Sequence, residues 1–366
     1  MIDLRSDTCS RPTAEMRHAM AHTEVGDDVY SGDPTVKALE RTVAELLAKE
    51  DAVYMPSGTM TNQVAVRVHT QPGDAVLFDQ NAHVYILENG GVAALSGALP
   101  RLVPGVRGIF TAADVDAAVG VSHPFFPSTV AAPTRLLCLE NTHNIGGGSV
   151  WPLETIQAVT AAGRRHGLAT HLDGARLWHA TAKTGIPEAE YAKSFDSVSV
   201  CMSKALGAPV GSLLVGTKDF IGRARRFKQA FGGGFRQAGI IAAGALHALN
   251  NHRQRLEETH LLAGRFAQGL AQIEGIEIDR AAVETNIVRY RLTKVSAAVF
   301  VDEAHRRGLW MLPSGADAVR AVFYLDITRS DVDDALKIVA DVLRALPTNH
   351  DPAASSPSQG AGYRQS

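Results

Sequence analysis

Between about residues 33 and 250, stretches of helical hydrophobic period alternate with short β-branched runs. Asp33-Pro34 reads as a helix cap followed by proline at the first helical position. Val36, Leu39, Val43, Leu46 and Leu47 then line one face of a helix ending near Lys49. Ala52–Met55 is a strand candidate, broken by Pro56-Ser57-Gly58, after which Thr59 to Val68 returns to helical period. Further strand-like runs fall at Ala75–Phe78, Arg135–Leu139, Leu168–Leu172, Ser197–Cys201 and Ser212–Val215, with helical patterns such as Leu153–His166 and Asp219–Gln229 between them. Such alternation predicts an α/β fold, a mainly parallel sheet with helices on both faces.

The texture changes after a long helical stretch, roughly Arg236 to Ile273. Asn286–Leu292 and Ala318–Leu325 read as strands, and Ser296–Arg307 and Ser330–Leu346 as helices, which predicts a small α+β domain. The expected division is a large domain over 1–250, a small one over 251–346, and a Pro/Ser/Gly/Ala-rich tail over 347–366 that is too polar to fold.

Composition narrows the class. The 366 residues are 45% hydrophobic, enough for a sizeable core, and 36 basic against 38 acidic side chains leave a formal charge of −2. That balance argues against nucleic acid or an anionic membrane as the main partner. Three scattered cysteines, Cys9, Cys138 and Cys201, make neither a disulfide framework nor a metal-binding pair. No apolar run approaches the ~20 residues of a membrane span. The N-terminus, MIDLRSDTCSRP, carries charges where a signal peptide needs apolar residues, so a soluble, cytoplasmic globular protein is expected.

Four local features sit at or just past predicted strand ends: Pro56-Ser57-Gly58-Thr59, Asn81-Ala82-His83, His171-Leu172-Asp173-Gly174-Ala175-Arg176 and Ser203-Lys204-Ala205-Leu206-Gly207. In an open parallel sheet, ligands bind at the carboxyl ends of strands. Lys204 follows a buried strand, where desolvation favours the neutral amine of a Schiff-base lysine; taken alone, it also reads as a snorkelling surface lysine. Asp173 alone reads equally as a helix cap. Together they are the two protein groups that a pyridoxal phosphate site requires, an imine-forming lysine and a partner for the pyridinium nitrogen. Ser57, Gly58 and Thr59 open a helix whose free N–H groups suit a phosphate, although the same residues make an ordinary cap. The ring of His83 suits stacking on the cofactor, although a lone histidine is commonly structural.

Beyond these features, GDDVYSGDPTV (Gly26–Val36), PSGTMTN (Pro56–Asn62), LENTHN (Leu139–Asn144), HLDGAR, SKALGAPVGSLLVG (Ser203–Gly216) and GGGFRQAG (Gly232–Gly239) occur in order along the chain. In these stretches, and from Ile2 to about residue 345, the sequence resembles the threonine aldolases, pyridoxal-phosphate enzymes of fold type I. The resemblance implies that Lys204 carries the cofactor, Asp173 pairs with its ring nitrogen, Ser57, Gly58 and Thr59 hold its phosphate and His83 stacks on its ring. It assigns Ser6, Arg176 and Arg320 to the substrate carboxylate, a task that suits the planar fork of arginine. Arg176 would also lie near the cofactor's phenolic oxygen. The implied reaction cleaves L-threonine, L-allo-threonine and related β-hydroxy-α-amino acids to glycine and an aldehyde. His83 and His123 are the candidate bases for the β-hydroxyl proton. No metal is expected.

The family pattern also implies a homotetramer, a dimer of dimers, in which Arg236 reaches the phosphate of a neighbouring copy, and Tyr30 is a substrate-binding candidate that approaches the site from the same or a neighbouring chain. The sequence departs from that pattern in three places. PFFPSTVAAPT follows His123 and lengthens that region. Phe323-Tyr324 replaces a polar pair, with altered substrate preference or simple repacking as the two outcomes. Gln229, with Lys228 adjacent, stands where a phosphate-reaching lysine is usual. Two rivals share the cofactor, a β-eliminating lyase and a transaminase. A metal-dependent hydrolase built on His171 and Asp173 lacks any recognised ligand spacing, and a decayed site should have lost the lysine.

Overall fold

The computed structural model describes residues 1–119, 125 and 127–346; the expected tail over 347–366 lies outside them. The chain forms two compact units, Ser10–Glu258 and, in the second, Met1–Cys9 together with the chain from Thr259 onward. The first strand, β1 (Ile2–Asp3), belongs to the second unit.

The Ser10–Glu258 unit is built on β2 (Asp51–Met55), β3 (Ala75–Asp79), β4 (Leu99–Val103), β5 (Thr134–Glu140), β6 (Ala169–Gly174), β7 (Ser197–Cys201) and β8 (Ser212–Gly216). They form one seven-stranded sheet in the order β2-β8-β7-β6-β5-β3-β4. The run from β7 to β4 is parallel, and β8 pairs antiparallel with both β7 and β2. This is the expected mainly parallel α/β sheet. Every residue of β3, β7 and β8 is buried, as strands covered on both faces must be. One face packs Val53, Met55 and Leu214 against Val64 and Val68 of helix Gly58–His69 and Ile221 of helix Lys218–Ala230.

Two local expectations differ from the structure in this unit. The strand β4 was not expected. It is an edge strand with Leu99, Pro100 and Leu102 exposed, so its sequence shows neither an apolar run nor clean alternation. The stretch Arg236–Ile273 is two helices, Gly239–Asn251 and Leu256–Leu270, separated by the 3₁₀ turn Arg253–Arg255.

The second unit carries β9 (Ile276–Glu277), β10 (Ile287–Leu292), β11 (Leu309–Trp310), β12 (Leu312–Pro313) and β13 (Ala318–Val322). An antiparallel sheet runs β12-β13-β10-β9, and β1 pairs parallel with β11. The N-terminal segment, placed with the large domain by sequence, therefore joins the smaller one through backbone hydrogen bonds that a local pattern does not announce. Just past the last strand, Phe323 N donates to the Asn286 carbonyl, the next position in the β10–β13 register, and Asn286 Nδ2 donates to the Phe323 carbonyl at 3.0 Å. Phe323 is fully buried against Phe266, 5.4 Å between ring centroids, and Tyr324 donates to the Asp3 carbonyl at 2.8 Å.

Candidate active site

Register places Glu140, Asp173 and Ser199 side by side on β5, β6 and β7, with Lys204 three residues beyond the end of β7. The site therefore sits at the carboxyl ends of the parallel strands. Helix Gly58–His69 starts immediately after β2, and Ser212, which opens β8, is the register partner of both Met55 and Cys201.

Asp173 is 1% exposed, and its two oxygens are both engaged: Oδ1 accepts from Ala175 N at 3.1 Å and Oδ2 from Asn62 Nδ2 at 2.9 Å. The same Asn62 nitrogen donates to Glu88 Oε1 at 2.9 Å. Glu88 is 2% exposed and also takes His83 Nδ1 at 2.9 Å and Gln63 Nε2 at 2.6 Å. His83, Glu88 and Asp173 thus meet in one buried cluster of the described residues. Sequence reading found His83 and Asp173 but missed Glu88 and Asn62. Asn62 closes the PSGTMTN stretch, and only the three-dimensional pairing reveals its task.

Burial disfavours charge on the His83 ring, but the Glu88 hydrogen bond and the charges of Asp173, Glu140 and Glu88 outweigh it and push its pKa up. For Glu88, burial dominates, the Asp173 charge adds to it, and the carboxyl is pushed up despite its three donors. Both shifts keep a proton on the pair. The His83 amide donates to Glu140 Oε2 at 2.7 Å, while Glu140 Oε1 accepts from Asn144 N at 2.7 Å. One buried carboxylate at the end of β5 therefore fixes the two loops flanking the site. Arg176, 6% exposed, opens helix Leu177–Thr184, and its Nη1 donates to Asn144 Oδ1 at 3.3 Å.

The donor set fits pyridoxal phosphate. Ser57 Oγ caps the helix by accepting from Met60 N at 3.1 Å. The Gly58 and Thr59 amides and the Thr59 hydroxyl find no acceptor among the described residues, which leaves a helix N-terminus open to an anion. Beside it the Ser212 hydroxyl is buried without a partner, 3.6 Å from where a Cβ on Gly58 would lie. Lys204 is half-buried, and among the described residues no group engages its ammonium; its carbonyl accepts from Ser10 Oγ at 2.6 Å.

Ser6 and Arg320 belong to the smaller unit, where Arg320 Nη2 donates to the Arg5 carbonyl at 3.3 Å and Ser6 Oγ accepts from Thr8 Oγ1 at 2.8 Å. Tyr30 is 82% exposed, and the largely exposed Arg236 lies 3.3 Å from Asp27. Lys228 is buried on Asp28 at 2.6 Å, and Gln229 is exposed. His123 lies outside the described residues.

The model of the Beta-eliminating lyase family matches residues 3–293. Over 338 residues the chain is 39% identical to low-specificity L-threonine aldolase 1 of Arabidopsis thaliana, covering 90% of this chain and 93% of the relative. It is 40% identical over 334 residues to the low specificity L-threonine aldolase of Escherichia coli strain K12, covering 91% and 96%. Among solved structures, the threonine aldolase of Leishmania major superposes with a TM-score of 0.78 over 94% of this chain and 99% of that one; at 20% identity this likeness concerns the fold.

Proposed function

The chain belongs to the low-specificity L-threonine aldolases within the β-eliminating lyase family, and we propose that it cleaves L-threonine and L-allo-threonine to glycine and acetaldehyde. Pyridoxal 5'-phosphate is the cofactor, and when bound it supplies the electron sink for the carbanion left by Cα–Cβ cleavage. The observation that carries this reading is the convergence of a buried, doubly held Asp173, a Lys204 amine that no group among the described residues engages and an open helix N-terminus at the carboxyl end of the sheet.

Lys204 supplies the amine that anchors the cofactor, and Asp173 presents an acceptor to its ring nitrogen. The Gly58 and Thr59 amides and the Thr59 hydroxyl hold the phosphate, with Ser57 shaping the turn. Arg176 orients the substrate carboxylate, a task equally suited to Arg320 and Ser6 of the smaller unit. His83 receives the β-hydroxyl proton: with Nδ1–H committed to Glu88, its Nε2 is the atom left to accept. His123 is the second base that the sequence offers.

A homotetramer in which Tyr30 and Arg236 reach a neighbouring copy is part of the same reading. The exposure of both side chains supports it, and sedimentation would test it. No helix among the described residues is long and apolar enough to cross a membrane.

Incubation with L-threonine tests the function. Equimolar glycine and acetaldehyde are expected, and they should be lost in Lys204→Ala. Pyruvate and ammonia from serine as the dominant products would transfer the enzyme to the eliminating lyases.

A further inference from the structure

Asn62 is 1% exposed and sits one turn into helix Gly58–His69, a position where asparagine has poor helix propensity. Its hydrogen bonds show what it does there. A carboxylate only accepts, so the Asn62 atom facing both Asp173 and Glu88 is its amide nitrogen. The remaining Oδ1 also only accepts, so His171 Nε2, 3.2 Å away, carries the ring proton. His171 Nδ1 is then an acceptor, and Ser197 Oγ, 2.9 Å away, donates to it. With its one proton committed, Ser197 Oγ accepts from His69 Nε2–H at 2.8 Å.

Every donor in this chain therefore points the same way, from His69 through Ser197 and His171 to Asn62 and its two carboxylates. The geometry is closed by the fold. Asn62 and His69 are two turns apart on one helix face, and His171 and Ser197 are register partners on β6 and β7 beneath it. Burial pushes His171 down to about 4 and His69 down to about 3, so both rings stay neutral and keep single tautomers.

We propose that Asn62 is the positioning residue of this site: its one amide nitrogen ties the cofactor-facing Asp173 to the His83-orienting Glu88, and its Oδ1, taken by His171 Nε2–H at the end of the His69–Ser197–His171 chain, holds that amide in place. The proposal rests on the assignments of Asp173 and His83 made above. Asn62 acts through other residues: its described side-chain hydrogen bonds go to Asp173, Glu88 and His171. It sets the direction of one carboxylate and, through the other, the tautomer of the base.

Imidazole ¹⁵N spectra of the [¹⁵N]histidine-labelled holoenzyme test it. Protons are expected on Nε2 of His69 and His171 and on Nδ1 of His83. In Asn62→Leu, of similar volume but without donors, kcat should fall on the order of 10²-fold, with KM for threonine little changed. The His83 ring should then lose its preference for Nδ1–H. A wild-type His171 protonated on Nδ1, or an Asn62→Leu enzyme with unchanged kcat, overturns the proposal. Should Asn62→Leu not fold, Ser197→Ala replaces it: His69 is expected to lose its preference for Nε2–H while His171, still facing Asn62 Oδ1, keeps its own, and an unchanged His69 or a switched His171 overturns the relay. A threonine-cleaving enzyme with the wrong His171 tautomer sinks the network alone. The expected tautomers in a protein inert towards threonine would sink the reading of the site alone.

Discussion

His83 Nδ1 lies 2.9 Å from Glu88 Oε1, so a fully buried carboxylate orients the imidazole ring. Because the Glu88 bond and the Asp173, Glu140 and Glu88 charges together raise His83 above its ordinary value, its neutral form dominates only above that raised pKa. The kcat/KM profile should therefore fall as pH drops through it. Glu88→Gln removes the hydrogen bond to a charged partner while burial remains, so the acid limb should move to lower pH. An unmoved limb would exclude His83 as the titrating base.

Replacing His83, the proposed base, separates chemistry from cofactor binding. His83→Ala should lower turnover by roughly 10²–10⁴-fold while the cofactor's absorbance persists, since Lys204 and Asp173 are untouched. Full turnover in that variant would remove His83 from the mechanism.

His69 and His171 give the fold an acid liability. Their folded-state values are pushed down to about 3 and about 4 from an ordinary 6.5, so below pH 6.5 the unfolded chain binds more protons than the native one. Stability should fall as pH drops from 6.5 towards 4, by up to about 1.4 kcal/mol per pH unit for each ring. His69 lies near His171, Asp196 and Arg223, and His171 near Asp173. Urea midpoints at fixed protein concentration would show the slope, and His69→Gln should reduce it by one proton. A midpoint flat from pH 7 to about 4.5 would contradict neutral burial.

The departures at Phe323 and Tyr324 are core residues of the smaller unit. Tyr324→Phe should cost about 1 kcal/mol through loss of the Asp3 bond, and Phe323→Ala about 3–5 kcal/mol. The ratio of threonine to allo-threonine cleavage by Tyr324→Phe should equal that of the wild type. A changed ratio would give the pair a role in specificity.

Lys228 and Gln229 should behave oppositely. Lys228→Met leaves the Asp28 carboxylate buried without its partner and should cost about 3–5 kcal/mol. Gln229→Lys, on the exposed side, should change stability by less than about 0.5 kcal/mol. Equal effects in a thermal melt would contradict the burial difference.

The parallel sheet was legible because short runs of β-branched and small residues alternate with stretches of helical period, and β7 matches its expected bounds residue for residue. The edge strand β4 was not, because Pro100 and exposed leucines erase the pattern. Lys204, Asp173 and His83 could be read from residue type and placement at strand ends. Glu88, Asn62 and Glu140 could not: their meaning lies in pairings across separate elements, and each alone looks like a polar residue bound for solvent. A helix period likewise cannot say that His69 and His171 share one serine.

The parallel pairing of β1 with β11 bears on how the protein comes off the ribosome. Ile2 N donates to the Gly308 carbonyl and Leu4 N to that of Trp310, so Ile2 to Leu4 leave the ribosome long before the residues they pair with. The contiguous Ser10–Glu258 span, with its whole sheet inside it, can assemble during that delay. An extension placed ahead of the exposed Met1 leaves this late docking free, whereas deleting Ile2 to Leu4 would strip the closing unit of a strand that nothing else in the chain replaces.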